Sequence, residues 1–166
     1  MRIRCTLKLA AKIKATLPDE TDELPLPMEW YANLIRHEGV QFIVAMDSGT
    51  LATVLFLGKG IVSPNALAEE LSSTASRMFK RNGWMFAVGR FIDIDQKHLE
   101  ILPTAGKRIL GSLTEMIRLI RGHLEYGDID LEAIADQVNR APMSYIDHKA
   151  PKWFLDDLCM KRQNEI

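Results

Sequence analysis

Cysteine is nearly absent: the chain of 166 residues holds two, Cys5 and Cys159, at its opposite ends. That excludes a disulfide framework and the paired spacing of a structural zinc site. The four histidines, His37, His98, His123 and His148, are scattered. No helical His-x-x-x-His pair joins them, so neither a metal nor a cofactor is expected. No apolar run approaches the length of a bilayer span, and no signal-peptide core opens the chain, which points to the cytoplasm and away from a membrane. An excess of either charge is missing too, with 21 Lys and Arg against 22 Asp and Glu. A formal net charge of -1 creates no global field for nucleic acid, which is therefore not indicated as a partner. The nucleophile elbow G-x-S-x-G and the Walker phosphate loop are also absent.

What remains is an ordinary globular composition, 47% hydrophobic and 26% charged. At this length it predicts one domain over residues 1–166 with a substantial core. Residues 30–57 organise that domain. Trp30-Tyr31-Ala32-Asn33-Leu34-Ile35 is a strand that stops at Arg36-His37-Glu38-Gly39. In residues 40–46, Val40, Phe42, Val44 and Met46 share one face at period two. Asp47-Ser48-Gly49 closes a second turn, with Gly49 expected at positive φ in a tight hairpin. Residues 51–57 alternate as well, with Leu51, Thr53, Leu55 and Leu57 opposite Ala52, Val54 and Phe56. Apolar residues on both faces predict a sheet covered on both sides, and short turns predict a meander.

Elsewhere Arg2-Ile3-Arg4-Cys5 reads as a short strand with Ile3 and Cys5 inward and both arginines outward. Thr6 is placed to cap a helix carrying Leu9, Ile13 and Leu17 on one face. Residues 18–27 combine acids with three prolines and read as a loop. Ser63-Pro64 opens a helix that buries Leu67, Leu71, Ala75, Met78 and Phe79 and ends at Asn82-Gly83. Residues 84–94 are ambiguous, and residues 99–102 form a further strand. Residues 107–126 make the longest helix, with Ile109, Leu113, Met116, Ile117, Ile120 and Leu124 on one face. Asp128 or Asp130 caps the next, which carries Leu131, Ile134, Ala135 and Val138 and stops at Pro142. A last amphipathic segment around Trp153, Phe154 and Leu158 docks on the body. Strands and helices segregate in blocks, which predicts an α+β fold: an antiparallel meander of three to five strands packed with four to five helices.

Two stretches have chemical potential. Pro103-Thr104-Ala105-Gly106-Lys107-Arg108 precedes a helix start, where free amides with Lys107 and Arg108 form an anion-binding candidate. Val44-Ala45-Met46-Asp47-Ser48-Gly49-Thr50 resembles the active-site strand of aspartic proteases, in which paired aspartates share a proton and activate water. Ala87-Val88-Gly89 is similar to the element supporting that loop. The single Asp-Ser-Gly would require a homodimer, and the helical termini do not suit that β fold.

Five stretches, in order along most of the chain, together carry a second likeness. They are Arg4-Cys5-Thr6, Trp30-Tyr31-Ala32-Asn33, Thr50-Leu51, Leu110-Gly111-Ser112 and Arg140-Ala141-Pro142-Met143. This set resembles a family of bacterial proteins known only as a domain of unknown function. The resemblance implies a compact domain and brings no activity, cofactor or catalytic residue. Leu7 and Leu113-Thr114 depart from the pattern. Arg4, Asn33, Thr50 and Ser112 are its polar members; they either converge on a binding site or satisfy buried backbone groups. The expected function is thus a non-catalytic binding or regulatory domain of the bacterial cytoplasm. Its partner is an unidentified protein or small molecule, and it is a monomer or homodimer. The alternative is a homodimeric aspartic-protease-like hydrolase using Asp47.

Overall fold

Residues 30–57 form the centre of a five-stranded sheet in the computed structural model, which describes residues 1–19, 28–85, 98–127 and 130–163. The strands are β1 (Arg2–Cys5), β2 (Trp30–His37), β3 (Val40–Asp47), β4 (Thr53–Leu57) and β5 (Glu100–Pro103), in spatial order β4-β3-β2-β1-β5. The β2-β3-β4 portion is the antiparallel meander read from the alternation. The sheet as a whole is mixed. β1 runs parallel to both β2 and β5, which corrects the expectation of a purely antiparallel sheet. The fold class is α+β, with five α-helices among the described residues: α1 (Leu7–Lys12), α2 (Pro64–Arg81), α3 (Lys107–Glu125), α4 (Leu131–Val138) and α5 (Pro151–Gln163). No helix among the described residues is long and apolar enough to cross a membrane.

Both sheet faces are buried, as the two-sided apolar pattern requires. One face carries Ile3, Trp30, Ala32, Ile43, Val54 and Phe56 against α1 and α2. The other carries Tyr31, Ile35, Val44, Met46 and Leu55 against α3 and α4. Ser63 caps α2 by accepting from the Ala66 amide at 3.2 Å, with Pro64 at the first helical position where no amide donor is needed. The whole predicted stripe of α2 is buried. α5 is anchored by Leu155, which is fully buried; Trp153 is 53% exposed rather than docked. Trp84 fastens this helix further by donating to Asp156 at 2.7 Å.

The two turns of the meander differ from one another. Glu38 and Gly39 both hold positive φ, 46° and 80°, and join His37 to Val40 as a type I′ turn. The second connection is longer than the tight hairpin expected. The Leu51 amide donates to the Asp47 carbonyl, the ladder resumes only at Thr53 opposite Met46, and it is Leu51 that lies at φ 59°, not Gly49. A left-handed leucine costs about 1–2 kcal/mol. Complete burial of its side chain in the second core offsets that.

The outer edge of β4 is closed by α2 and α4, which approach from opposite faces. Arg77 and Arg81 of α2 pair with Glu132 and Asp136 of α4. Beneath them Asn139, 2% exposed, binds the strand edge as another strand would. Its Oδ1 accepts from the Thr53 amide and its Nδ2 donates to the Thr53 carbonyl, both at 2.8 Å. An open edge is a template for aggregation, and this one is occupied from within the chain.

Candidate functional site

Arg4 corrects the alternation assigned to β1: it is buried, not outward. The second sheet face is covered by helices, so the outward side of β1 is also interior. Its guanidinium is matched there. Arg4 Nε donates to Glu29 Oε2 at 2.7 Å and Nη1 to the Pro103 carbonyl at 3.1 Å. Arg2 Nη1 reaches the other Glu29 oxygen at 2.9 Å. The Glu29 backbone is held by Ser48, whose amide donates to the Glu29 carbonyl at 2.8 Å and whose hydroxyl accepts from its amide at 3.1 Å. Asn33 accepts from the Thr6 hydroxyl at 3.0 Å. Thr6 therefore sits at the N-cap of α1 with its side chain turned away from the helix amides, so it does not cap as expected. Arg4 thus ties β1 to β5 and to the residue ahead of β2, and Asn33 ties β2 to the residue that follows β1.

Thr50 serves the Asp47 turn. Its amide and hydroxyl donate to Asp47 Oδ2 at 2.7 and 2.8 Å, and the Gly49 amide adds a third bond at 3.1 Å. Asp47 Oδ1 has no hydrogen-bond partner among the described residues. The carboxylate is buried, not the exposed hairpin tip that a lone turn aspartate would be. A proteolytic dyad needs this carboxylate at a surface shared by two copies; here it lies inside one copy and is engaged by its own turn. Ala87-Val88-Gly89 lies outside the described residues. Burial pushes the Asp47 carboxyl above its ordinary value of 3.8, with the Thr50 and Gly49 bonds opposing. The native state therefore holds this proton more tightly than the unfolded chain. Stability should fall as pH rises from about 4 toward the native pKa and level off above it. We predict that the stability of the wild type relative to Asp47→Asn declines over that range in urea titrations at successive pH values. A rise instead would mean that the fold favours the carboxylate.

Lys107 and Arg108 open α3 behind Gly106, and both are exposed. The two separate in role. Arg108 lines a cleft of about 480 Å³ together with Ser112, Glu115, Ser144, Tyr145 and His148; Lys107 does not. α3 supplies one wall, because positions 108, 111, 112 and 115 recur on one helix face. The segment following α4 supplies the other. Met143 and Lys149 form a bridge there, and the His148 amide returns to the Met143 carbonyl at 3.0 Å. His148 of the cleft lining and its neighbour Asp147 both adopt left-handed φ, 59° and 54°, a conformation that costs non-glycine residues free energy and recurs at binding sites. Arg108 lies over the Tyr145 ring at 5.5 Å, and its guanidinium meets no carboxylate among the described residues. Ser112 is buried, with its hydroxyl donating to the Arg108 carbonyl at 3.3 Å. The arrangement offers a planar cation over an aromatic ring, the hydroxyls of Ser112, Ser144 and Tyr145, and the imidazole of His148. No three acidic, His or Cys side chains gather to hold a metal among the described residues.

Of the residues proposed from sequence, the structure brings Arg108 and Ser112 together and leaves Arg4 and Thr50 buried in the framework of the sheet and its turn, with Asn33 half-buried on β2. Glu115, Ser144, Tyr145 and His148 were not foreseen as site residues. One signal did point to them: Leu110-Gly111-Ser112 and Arg140-Ala141-Pro142-Met143, far apart in sequence, contribute to opposite walls of the cleft.

No curated protein matches the chain. A family model described as Domain of unknown function (DUF6933) matches residues 2–153. The resemblance to a family known only as a domain of unknown function thus holds, and the protein belongs to the DUF6933 family.

Proposed function

We propose that this protein is a non-catalytic binding domain of the bacterial cytoplasm, and that the cleft between α3 and residues 142–148 takes a small molecule bearing an anionic group. The observation that carries this reading is the Arg108 guanidinium, which lies over Tyr145 in the lining of a 480 Å³ cleft and meets no carboxylate among the described residues. A guanidinium fork matches carboxylate or phosphate with two parallel hydrogen bonds, and the aromatic beneath it limits the freedom lost when they form. The two free thiols are in keeping with a reducing compartment.

Inorganic phosphate tests the reading. A ligand at ten times its Kd stabilises the native state by about 1.4 kcal/mol, a rise of a few degrees in Tm for a chain of this length. We expect that rise in the wild type and in Lys107→Ala, and its loss in Arg108→Ala. An equal response in all three would reduce the effect to general salt stabilisation. Loss in both variants would place the anion at the helix terminus instead of in the cleft.

A further inference from the structure

The cleft carries opposite charges at its two ends. Arg108 and Glu115 stand two turns apart on α3, about 10 Å along the axis at 1.5 Å per residue. Glu115 Oε1 accepts from Arg118 at 2.7 Å, while its Oε2 has no partner among the described residues. Arg118 lies outside the lining and its side chain is 75% exposed, so this ion pair is weak and easily shared. Between the two charges the helix face presents Gly111, where an added Cβ would meet nothing within 4 Å. A glycine inside a helix is unfavourable relative to alanine, and no packing neighbour of the fold requires it here. Its effect is to keep the floor of the cleft open from one charge to the other. Met143 and Tyr145 supply apolar surface on the opposing wall.

Resting on the reading of this cleft as a ligand site, we propose that it selects a zwitterion: a carboxylate on Arg108, an ammonium group on Glu115, and an apolar chain spanning Gly111. A simple anion such as inorganic phosphate meets Arg108 alone and leaves Glu115 unmatched, and a simple cation leaves Arg108 unmatched. A dipolar ligand of the right length neutralises both ends while its chain covers the open floor.

The test compares ω-aminooctanoate, which has both charges at about the required separation, with octanoate and octylamine, each carrying one. Binding is followed by calorimetry on the full chain. We expect ω-aminooctanoate to bind about ten-fold more tightly than octanoate, the gain of one charge-assisted contact, and octylamine not to bind. Glu115→Gln should reduce ω-aminooctanoate to the level of octanoate and leave octanoate unchanged. Arg108→Ala should abolish both. Equal affinities for ω-aminooctanoate and octanoate, or indifference to Glu115→Gln, would overturn the zwitterion proposal while Arg108-dependent octanoate binding left the anion site standing. Octylamine binding as tightly as ω-aminooctanoate would likewise overturn it. Failure of every probe to bind through Arg108 would remove the cleft reading itself, and this proposal with it.

Discussion

Glu29→Ala should destabilise the protein by about 3–5 kcal/mol, because it strands the buried Arg4 charge without its carboxylate. Arg4 is fully buried and Glu29 only 1% exposed, so water cannot replace the lost partner at either group. The Pro103 carbonyl still accepts one Arg4 hydrogen bond, but a carbonyl dipole does not neutralise a guanidinium. The pair is a different matter from its halves. Replacing both, as Arg4→Met with Glu29→Leu, removes two desolvated charges together and should recover most of the loss. Urea unfolding of the two single variants and the double variant gives the coupling directly. A Glu29→Ala cost below about 1 kcal/mol would mean that the arginine finds solvent and that the network contributes little.

Asn139→Ala is expected to cost about 2–4 kcal/mol, as it leaves the Thr53 amide and carbonyl unpaired in a buried setting. The same side chain also donates to the Ala135 carbonyl at 2.8 Å, so it finishes α4 as well as the sheet edge. Asn139→Asp keeps the size and the acceptor but removes the donor and adds a buried charge. It should therefore be no better than alanine at neutral pH, and should improve on acidification as the carboxyl is protonated. Thermal unfolding on the two variants at two pH values separates these effects. A near-neutral Asn139→Ala would show that the β4 edge is satisfied by water.

Local chemistry explains what could be read ahead of the structure. α2 was legible throughout because Ser63-Pro64, its apolar stripe and Asn82-Gly83 each act on residues within about a turn of themselves. The β2-β3-β4 meander was legible for the same reason, since each strand pairs with its neighbour in sequence. The position of β1 was not. It pairs with β2 and with a strand nearly a hundred residues away, so neither its direction nor the burial of Arg4 is encoded in four alternating residues. Asp47 misled for a related reason. Asp-Ser-Gly specifies a turn, but whether the turn is wet depends on Glu29 and Ser48 packing across it. The cleft needed both walls. Arg108 and Ser112 stood out on one of them, while Tyr145 and His148 lie on the other, brought there by the tight return of residues 143–149.

Amide chemical-shift mapping during a phosphate titration tests the binding-domain reading most directly. The predicted perturbations cluster at residues 108, 111 and 112 on α3 and at residues 144, 145 and 148 across the cleft, and disappear in Arg108→Ala. Saturable shifts confined to another part of the sheet or helices, or no saturable shift at all, would contradict it.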